Sequence, residues 1–102
     1  MFNTVVAKDP NNLDALHYRA FTKFSMQGNL DQATKDLLTV RDRNPSALNS
    51  RLLLARVYRA SHHLAEAASE YRDVIALKPD AVPARLEYAQ FLMSLSKIQQ
   101  NL

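Results

Sequence analysis

The sequence predicts an all-α fold, a superhelix of antiparallel helix pairs, and three observations carry that prediction. Two stretches of chain superimpose at an offset of 34 residues, pairing Phe24/Tyr58, Leu30/Leu64, Ala33/Ala67, Leu37/Tyr71, Val40/Val74 and Pro45/Pro79. Apolar residues recur at helical spacing between the prolines. One glycine and four prolines in 102 residues leave little material for the turns of a strand-rich fold. A period of this length is typical of helical arrays in which each unit buries its apolar face on the next.

Prolines divide the chain into a short stub and five full helices. Pro10, Pro45 and Pro79 each mark a helix end, because proline cannot donate its N–H and the residue before it disfavours the α conformation. The stub is predicted at about 2–8, and the helices at about 13–27, 30–42, 47–60, 64–77 and 81–100.

Polar residues at the predicted helix starts support these boundaries. Asn12 is expected to cap the first helix, and Asn29 with Gln32 has the spacing of a capping box for the second. Gly28 is expected to take a left-handed backbone conformation between these two helices. Its counterpart in the second copy is His62, which tolerates that conformation less well.

Composition narrows the classes of function. The chain is long enough for one domain, 1–102, and its 13 Lys+Arg against 10 Asp+Glu are interspersed without a basic run, which disfavours a nucleic-acid partner. There is no cysteine, so disulfides and thiolate chemistry are excluded and the compartment is left open. No stretch has the length of a membrane span, so membrane insertion is not expected.

The repeated residues resemble the tetratricopeptide repeat (TPR). Gly28 to Ala33, followed by Leu37, Val40 and Pro45, match its pattern, and so do Leu64 to Ala67 with Tyr71, Val74 and Pro79. The resemblance implies a TPR-like solenoid with the end of a preceding repeat at 1–10, full repeats at 11–45 and 46–79, and the first helix of a third at 80–102. The chain is then expected to be part of a longer solenoid. Core positions implied in the first helix of each unit are Leu16, Ala20 and Phe24; Leu54, Ala55 and Tyr58; and Ala89 and Leu92.

Two departures from the family pattern stand out. The family's tryptophan position holds Leu16, Arg51 and Arg85, which implies weaker core contacts there. The offset also changes from 35 to 34 between Ala20 and Phe24, which implies one extra residue in the first helix, as a bulge or as added length. Another helical-pair repeat, such as the RNA-binding pentatricopeptide family, or a plain helix bundle remains an alternative.

No catalytic or cofactor chemistry is evident in the residues. There is no Gly-rich phosphate loop or His–Glu metal helix, and the Ser and Thr residues lack a His–Asp arrangement nearby. His62 and His63 are adjacent but lack a third convergent ligand, so they are interpreted as a polar turn. The sequence therefore predicts a protein that is not an enzyme and that needs neither a cofactor nor a metal.

The first helix of each pair lines the concave face of such an array. By resemblance, the groove positions that would bind a partner are Asp14, His17, Tyr18, Phe21, Asn49, Leu52, Leu53, Arg56, Arg59, Leu86, Glu87, Gln90 and Met93. Chaperone-binding members of the family hold a terminal carboxylate with a set of Lys, Asn and Arg. This chain has His17, Phe21, Leu53, Pro83 and Glu87 at those positions, which argues against such a clamp.

Two hypotheses of different class follow. In the first, a peptide or partner protein lies in the groove, with apolar anchors and an acidic group near Arg56 and Arg59, which share a helix face. In the second, the chain self-associates as a homodimer through its terminal helices, because the last helix has no successor to cover its apolar side chains. Those side chains are Tyr88, Leu92, Leu95 and Ile98.

Overall fold

Five α-helices follow one another in the computed structural model, which describes residues 12–26 and 28–100, with side chains through residue 96. They are α1 (Leu13–Ser25), α2 (Leu30–Arg43), α3 (Leu48–Ala60), α4 (Leu64–Leu77) and α5 (Val82–Gln100). The all-α prediction is confirmed, and within the described residues there is no strand. The predicted stub at 2–8 lies outside them.

Connections of three or four residues join the helices, so neighbours pack as antiparallel pairs. Repeat 1 consists of α1 and α2, and repeat 2 of α3 and α4. Ala20 of α1 and Ala33 of α2 are fully buried, which lets the two helices of repeat 1 approach closely. Ala55 and Ala67 do the same in repeat 2, where Tyr71 and Phe91 complete the core cluster.

Both predicted asparagine caps form. Asn12 Oδ1 accepts from the Ala15 backbone N–H at 3.0 Å, and Asn29 Oδ1 accepts from that of Gln32 at 3.0 Å. The reciprocal half of the capping box is wrong, because the Gln32 amide donates instead to Asp36 Oδ1 at 2.9 Å. The hydrogen bond to the buried carboxylate turns the Gln32 side chain toward Asp36, one turn along the helix, and away from the Asn29 backbone N–H that it would accept from in a capping box.

Among the described residues, the left-handed backbone conformation occurs in the second repeat, at His62. Gly28 has no positive φ, whereas His62 has φ 63°, the reverse of the expectation. The helices α1 and α3 have equal length, and the extra residue of repeat 1 lies in the connection 26–29, against 61–63 in repeat 2. The predicted extra residue within the first helix is therefore wrong. The shorter connection reverses the chain in three residues and needs one left-handed residue to do so.

The core face of α5 differs from the expectation. Ala89 and Leu92 were expected in the core but are exposed, since no described helix follows α5 to cover them. Ala84 and Phe91 are buried in their place, on the side that faces repeat 2.

The arginines at the family's tryptophan position make polar contacts with the preceding connection. Arg51 Nη1 donates to the Pro45 carbonyl at 3.0 Å, and Arg85 Nη1 donates to the Pro79 carbonyl at 2.8 Å. Each arginine thereby ties a first helix to the end of the preceding repeat.

Each repeat also buries one carboxylate at the same position of its second helix. Asp36 of α2 accepts from Arg19 Nε at 2.8 Å and Arg19 Nη2 at 2.6 Å. Glu70 of α4 accepts from Arg51 Nε at 3.1 Å and from Arg41 Nη1. Because Arg41 belongs to α2, the Glu70 carboxylate links the two repeats.

Candidate interaction groove

A pocket of about 200 Å³ lies between the first helices of the two repeats. It is lined by α1 and α3 alone, through His17, Phe21, Asn49, Leu52, Leu53 and Arg56. All six are predicted groove positions. Since core packing turns Ala20 and Leu54 inward, the residues one turn around each helix meet at this shared surface.

A polar bridge closes one side of the pocket. His17 Nδ1 and Ser50 Oγ lie 2.8 Å apart, joining α1 to α3, and Ser50 is buried. Burial lowers the pKa of the His17 imidazole, and the Asp14 carboxylate one turn earlier partly offsets that shift. The neutral ring therefore dominates at neutral pH, and protonation would add positive charge beside Arg56.

The Arg56 guanidinium at the pocket edge is already paired. Its Nε donates to Glu87 Oε1 at 2.7 Å and its Nη2 donates to Glu87 Oε2, which connects α3 to α5. The hydrogen bonds to Glu87 raise the pKa of Arg56. The pair remains accessible, with 39% of the Arg56 side chain and 21% of the Glu87 side chain exposed.

Arg59, the second predicted cation, has a different environment. Its guanidinium carbon lies 5.7 Å from the centroid of the Phe91 ring, in a cation–π arrangement. Among the described residues it makes no ion pair with a carboxylate. Arg56 and Arg59 therefore share a helix face as predicted, but they do not form a joint fork.

Four large apolar side chains at predicted groove positions remain exposed. Tyr18, Phe21, Leu86 and Met93 are each between 48% and 64% exposed, and all four are predicted groove positions. Of these four, Phe21 lines the pocket between α1 and α3 and gives it an exposed apolar wall.

A second cavity extends the groove toward α5. It has a volume of about 450 Å³ and shares Asn49 and Leu52 with the first pocket. Val82, Pro83 and Ala84 at the start of α5 line its far side, with Lys78 and Asp80 at its mouth. The two cavities meet at these shared residues and form a strip lined by α1, α3, the end of α4 and the start of α5.

The structure does not bring every predicted site residue into this strip. Leu53 lines the first cavity but is almost fully buried as a core residue. The predicted positions that line neither cavity are Asp14, Tyr18, Arg59, Leu86, Glu87, Gln90 and Met93. Within residues 12–96, no group of His, Cys, Asp and Glu is arranged to hold a metal ion. None of the described helices is long and apolar enough to cross a lipid bilayer.

Two of the predicted self-association residues are corrected by the packing. Tyr88 is half-buried and stacks on Tyr71 with ring centroids 5.7 Å apart, and Leu95 packs against the same cluster. They face repeat 2 because the helix places them on the side of Phe91. Leu92 is 45% exposed, and the Ile98 side chain lies outside the described part.

Sequence reasoning missed several polar residues. Ser50 carries no signal in the sequence, because its partner is 33 residues away on another helix. Asp36 and Glu70 did carry one, since they pair at the repeat offset of 34, but acids at helical surface positions are usually solvated.

No protein-family model matches the sequence, and no curated protein sequence matches it either. Solved structures do. The first TPR domain of Spaghetti (RPAP3), bound to the HSP90 peptide SRMEEVD, superimposes with a TM-score of 0.83 at 22% identity, over 93% of this chain and 75% of that one. The first TPR domain of human RPAP3, determined by NMR, gives 0.85 at 21% identity over 99% and 79%.

The crystal structure of MamA is also similar, with a TM-score of 0.82 at 18% identity. The match covers 93% of this chain but only 55% of the MamA chain. At these identities the likeness concerns the fold. The described helices form a TPR fold, as the internal period predicts.

Proposed function

We propose that this protein is an interaction scaffold that binds a peptide or a segment of a partner protein in its concave groove, without catalysis. One observation carries the proposal: the pocket between α1 and α3 is lined by six predicted groove positions, among them Phe21, whose aromatic side chain stays 48% exposed. Burial of such side chains by a ligand is favourable by about 25 cal/mol per Å² of apolar surface.

The similar TPR domain of Spaghetti supports a peptide as the ligand, since it was solved with one. Its peptide, SRMEEVD, is acidic. Here, the groove offers Phe21, Leu86 and Met93 as contact surface, and one of its two arginines is held by Glu87. We infer that apolar anchors supply most of the affinity for this chain.

An acidic group on the ligand has two points of attachment. Arg59 has no carboxylate partner among the described residues, and Arg56 Nη1 is left over from the pair with Glu87. A ligand carboxylate at Arg56 competes with Glu87, so its contribution to affinity is reduced by the cost of displacing that side chain.

Selection of peptides from a random display library against the full chain tests this proposal. Phe21→Lys and Leu86→Lys should each weaken the selected peptides by at least about tenfold, measured by fluorescence anisotropy, because each places a charge on apolar contact surface. Leu77→Lys is the matched control, since Leu77 is 49% exposed but lies at the end of α4. Equal affinities for all three variants would refute the proposal that the peptides bind in the groove.

Glu87→Gln tests the acidic group separately. Removal of the competing carboxylate should tighten an acidic peptide severalfold and leave its amidated, neutral analogue unchanged. If Glu87→Gln changes the affinities of both peptides equally, Arg56 does not contact an acidic group of the ligand.

Self-association through the last helix is a second candidate, favoured by the exposure of Leu92 and the adjacent Met93. Light scattering behind size exclusion across a concentration series measures it directly. A dimer that Leu92→Lys returns to monomer would support it, whereas a monomer at all concentrations would contradict it.

A further inference from the structure

The larger of the two groove cavities lies between α3, the end of α4 and the start of α5. Its volume of about 450 Å³ is more than twice the volume of about 200 Å³ between α1 and α3. Ligand sites in proteins usually measure about 300–1,000 Å³. Of the two, the larger cavity therefore has the size to enclose a bulky group.

The interior of the larger cavity is also more apolar. Between α1 and α3, His17 and Ser50 bridge the two helices with a polar contact of 2.8 Å. Between α3 and α5 the equivalent residues are Leu52 and Ala84, which line the cavity and have no polar side-chain atom. Val74 and Ala84 are both buried, so the side of the cavity that faces the core offers apolar contacts to a ligand.

The mouth of the larger cavity carries one cation and one carboxylate. Lys78 and Asp80 are both exposed there, and in the described part of the chain neither forms an ion pair. Lys78 offers an ammonium group and Asp80 offers an acceptor of hydrogen bonds. An apolar interior beneath such groups suits a side chain with an apolar body and a polar edge.

The two cavities lie on either side of α3 and share Asn49 and Leu52. A ligand that enters both must therefore cross α3 at these residues. The Asn49 side chain is exposed, and its amide can both donate and accept a hydrogen bond, as a peptide backbone amide does. This arrangement matches a peptide whose backbone passes over Asn49 and whose side chains enter the cavities.

We propose that the larger cavity takes a tryptophan or tyrosine side chain of the bound peptide, an inference that rests on the proposed function. The ring packs against Leu52, Val74 and Ala84, and its N–H or O–H donates to Asp80 at the mouth. The Lys78 ammonium lies over the ring face as a cation–π partner. An aliphatic side chain would fill less of the volume, make fewer dispersion contacts and offer Asp80 no donor.

Peptides selected from a random display library against the full chain are the probe. They should share a tryptophan or tyrosine, and its replacement by alanine should weaken binding at least about tenfold. The chain itself contains no tryptophan, so the emission of a tryptophan at the shared position reports on that side chain alone. Its emission should shift to shorter wavelength on binding, because the ring leaves water.

Val82→Asp places a charge on the wall of the larger cavity. Val82 is 61% exposed and is the first residue of α5, where a carboxylate favours the helix, so the variant should fold, as circular dichroism checks. It should weaken the tryptophan peptide at least about tenfold and change its alanine version by less than about twofold. Leu77→Asp is the matched control, since Leu77 is exposed but lines neither cavity.

Comparison with Phe21→Lys separates this inference from the proposed function. If Phe21→Lys weakens the peptides and Val82→Asp does not, the groove binds peptides without an anchor in the larger cavity, which overturns this inference alone. If neither variant weakens them, both proposals fail. Selected peptides without a shared tryptophan or tyrosine would also overturn the inference, as would an equal loss of affinity by the tryptophan and alanine peptides with Val82→Asp.

Discussion

The two repeats bury a carboxylate at the same position, yet they bind it differently. Asp36 of repeat 1 is held by Arg19 and Gln32, both from the same repeat. Glu70 of repeat 2 is held by Arg51 of its own repeat and by Arg41 of the preceding one. Asp36 therefore stabilises a single helix pair, whereas Glu70 also contributes to the coupling between repeats on which a solenoid depends.

The largest expected effect comes from removal of the Glu70 charge. Glu70→Gln removes the carboxylate that Arg41 contacts and leaves Arg51 with Asp73 alone, so it should lower the free energy of unfolding by about 2–3 kcal/mol through the loss of hydrogen bonds to a buried charge. Asp36→Asn affects one arginine and should cost about 1–2 kcal/mol. Urea denaturation followed by circular dichroism at 222 nm compares the two variants.

The slope of the same titration distinguishes the two roles. Because Glu70 links the repeats, Glu70→Gln should broaden the transition or split it, whereas Asp36→Asn should keep a single transition of unchanged slope. Equal losses with equal slopes would mean that Arg41 adds nothing to the coupling of the repeats.

The concave face shows a second contrast between successive repeats. His17 and Ser50 form a polar bridge between α1 and α3, the first helices of the two repeats. Between α3 and α5, the residues at the equivalent positions are Leu52 and Ala84, which are apolar. The interface between α1 and α3 therefore contains a titratable contact at positions where the interface between α3 and α5 has none.

Acid pH should selectively weaken the interface between α1 and α3. Because burial lowers the pKa of His17, the unfolded chain binds its proton more tightly than the folded one. Stability is then fully present above the ordinary histidine value of about 6.5 and falls as the pH drops below it, toward the lowered pKa of the folded state. The loss should be smaller than that caused by Glu70→Gln, because the ring is only half-buried.

His17→Gln isolates this effect, since glutamine keeps a hydrogen-bonding group near Ser50 but does not titrate. The urea midpoint of the original chain should fall more between pH 7.5 and 5.5 than that of the variant. The exposed His62 and His63 are present in both chains. An equal fall in the two would show that His17 is not the responsible group.

The sequence predicted what depends on helical register and little that depends on side-chain pairing. The helices could be predicted, and so could the six positions that line the pocket between α1 and α3, because the core residues Ala20, Leu54 and Ala55 fix which side of each helix faces inward. The pair of Arg56 with Glu87 was not, because it joins residues 31 apart whose meeting depends on the distance between α3 and α5.

The backbone conformation of the connections between helices was also predicted incorrectly. Glycine is the usual left-handed residue, but Gly28 does not adopt that conformation, whereas His62 adopts it in the three-residue connection of repeat 2. The exposure of Ala89 and Leu92 on α5 could not be predicted either, since the repeat pattern assigns both residues to a core that a further helix would complete.

The smallest expected effect concerns Tyr71, which occupies the position of Leu37 in repeat 1. Its ring packs against Tyr88 and Phe91, but its buried hydroxyl has no hydrogen-bond partner of good geometry among the described residues. Burial raises the pKa of Tyr71, and the nearby Arg59 guanidinium only partly offsets this. The hydroxyl is thus a polar group transferred from water without full compensation.

Tyr71→Phe should therefore leave the free energy of unfolding unchanged or raise it by up to about 0.5 kcal/mol, since the ring contacts stay and an unpaired hydroxyl is removed. Urea denaturation beside the Glu70 variants measures it on the same scale. A loss of about 1 kcal/mol would instead mean that Arg59 donates to this hydroxyl in solution. In that case Arg59 would be committed to the core of repeat 2, and Arg56 alone would remain to contact an acidic group in the groove.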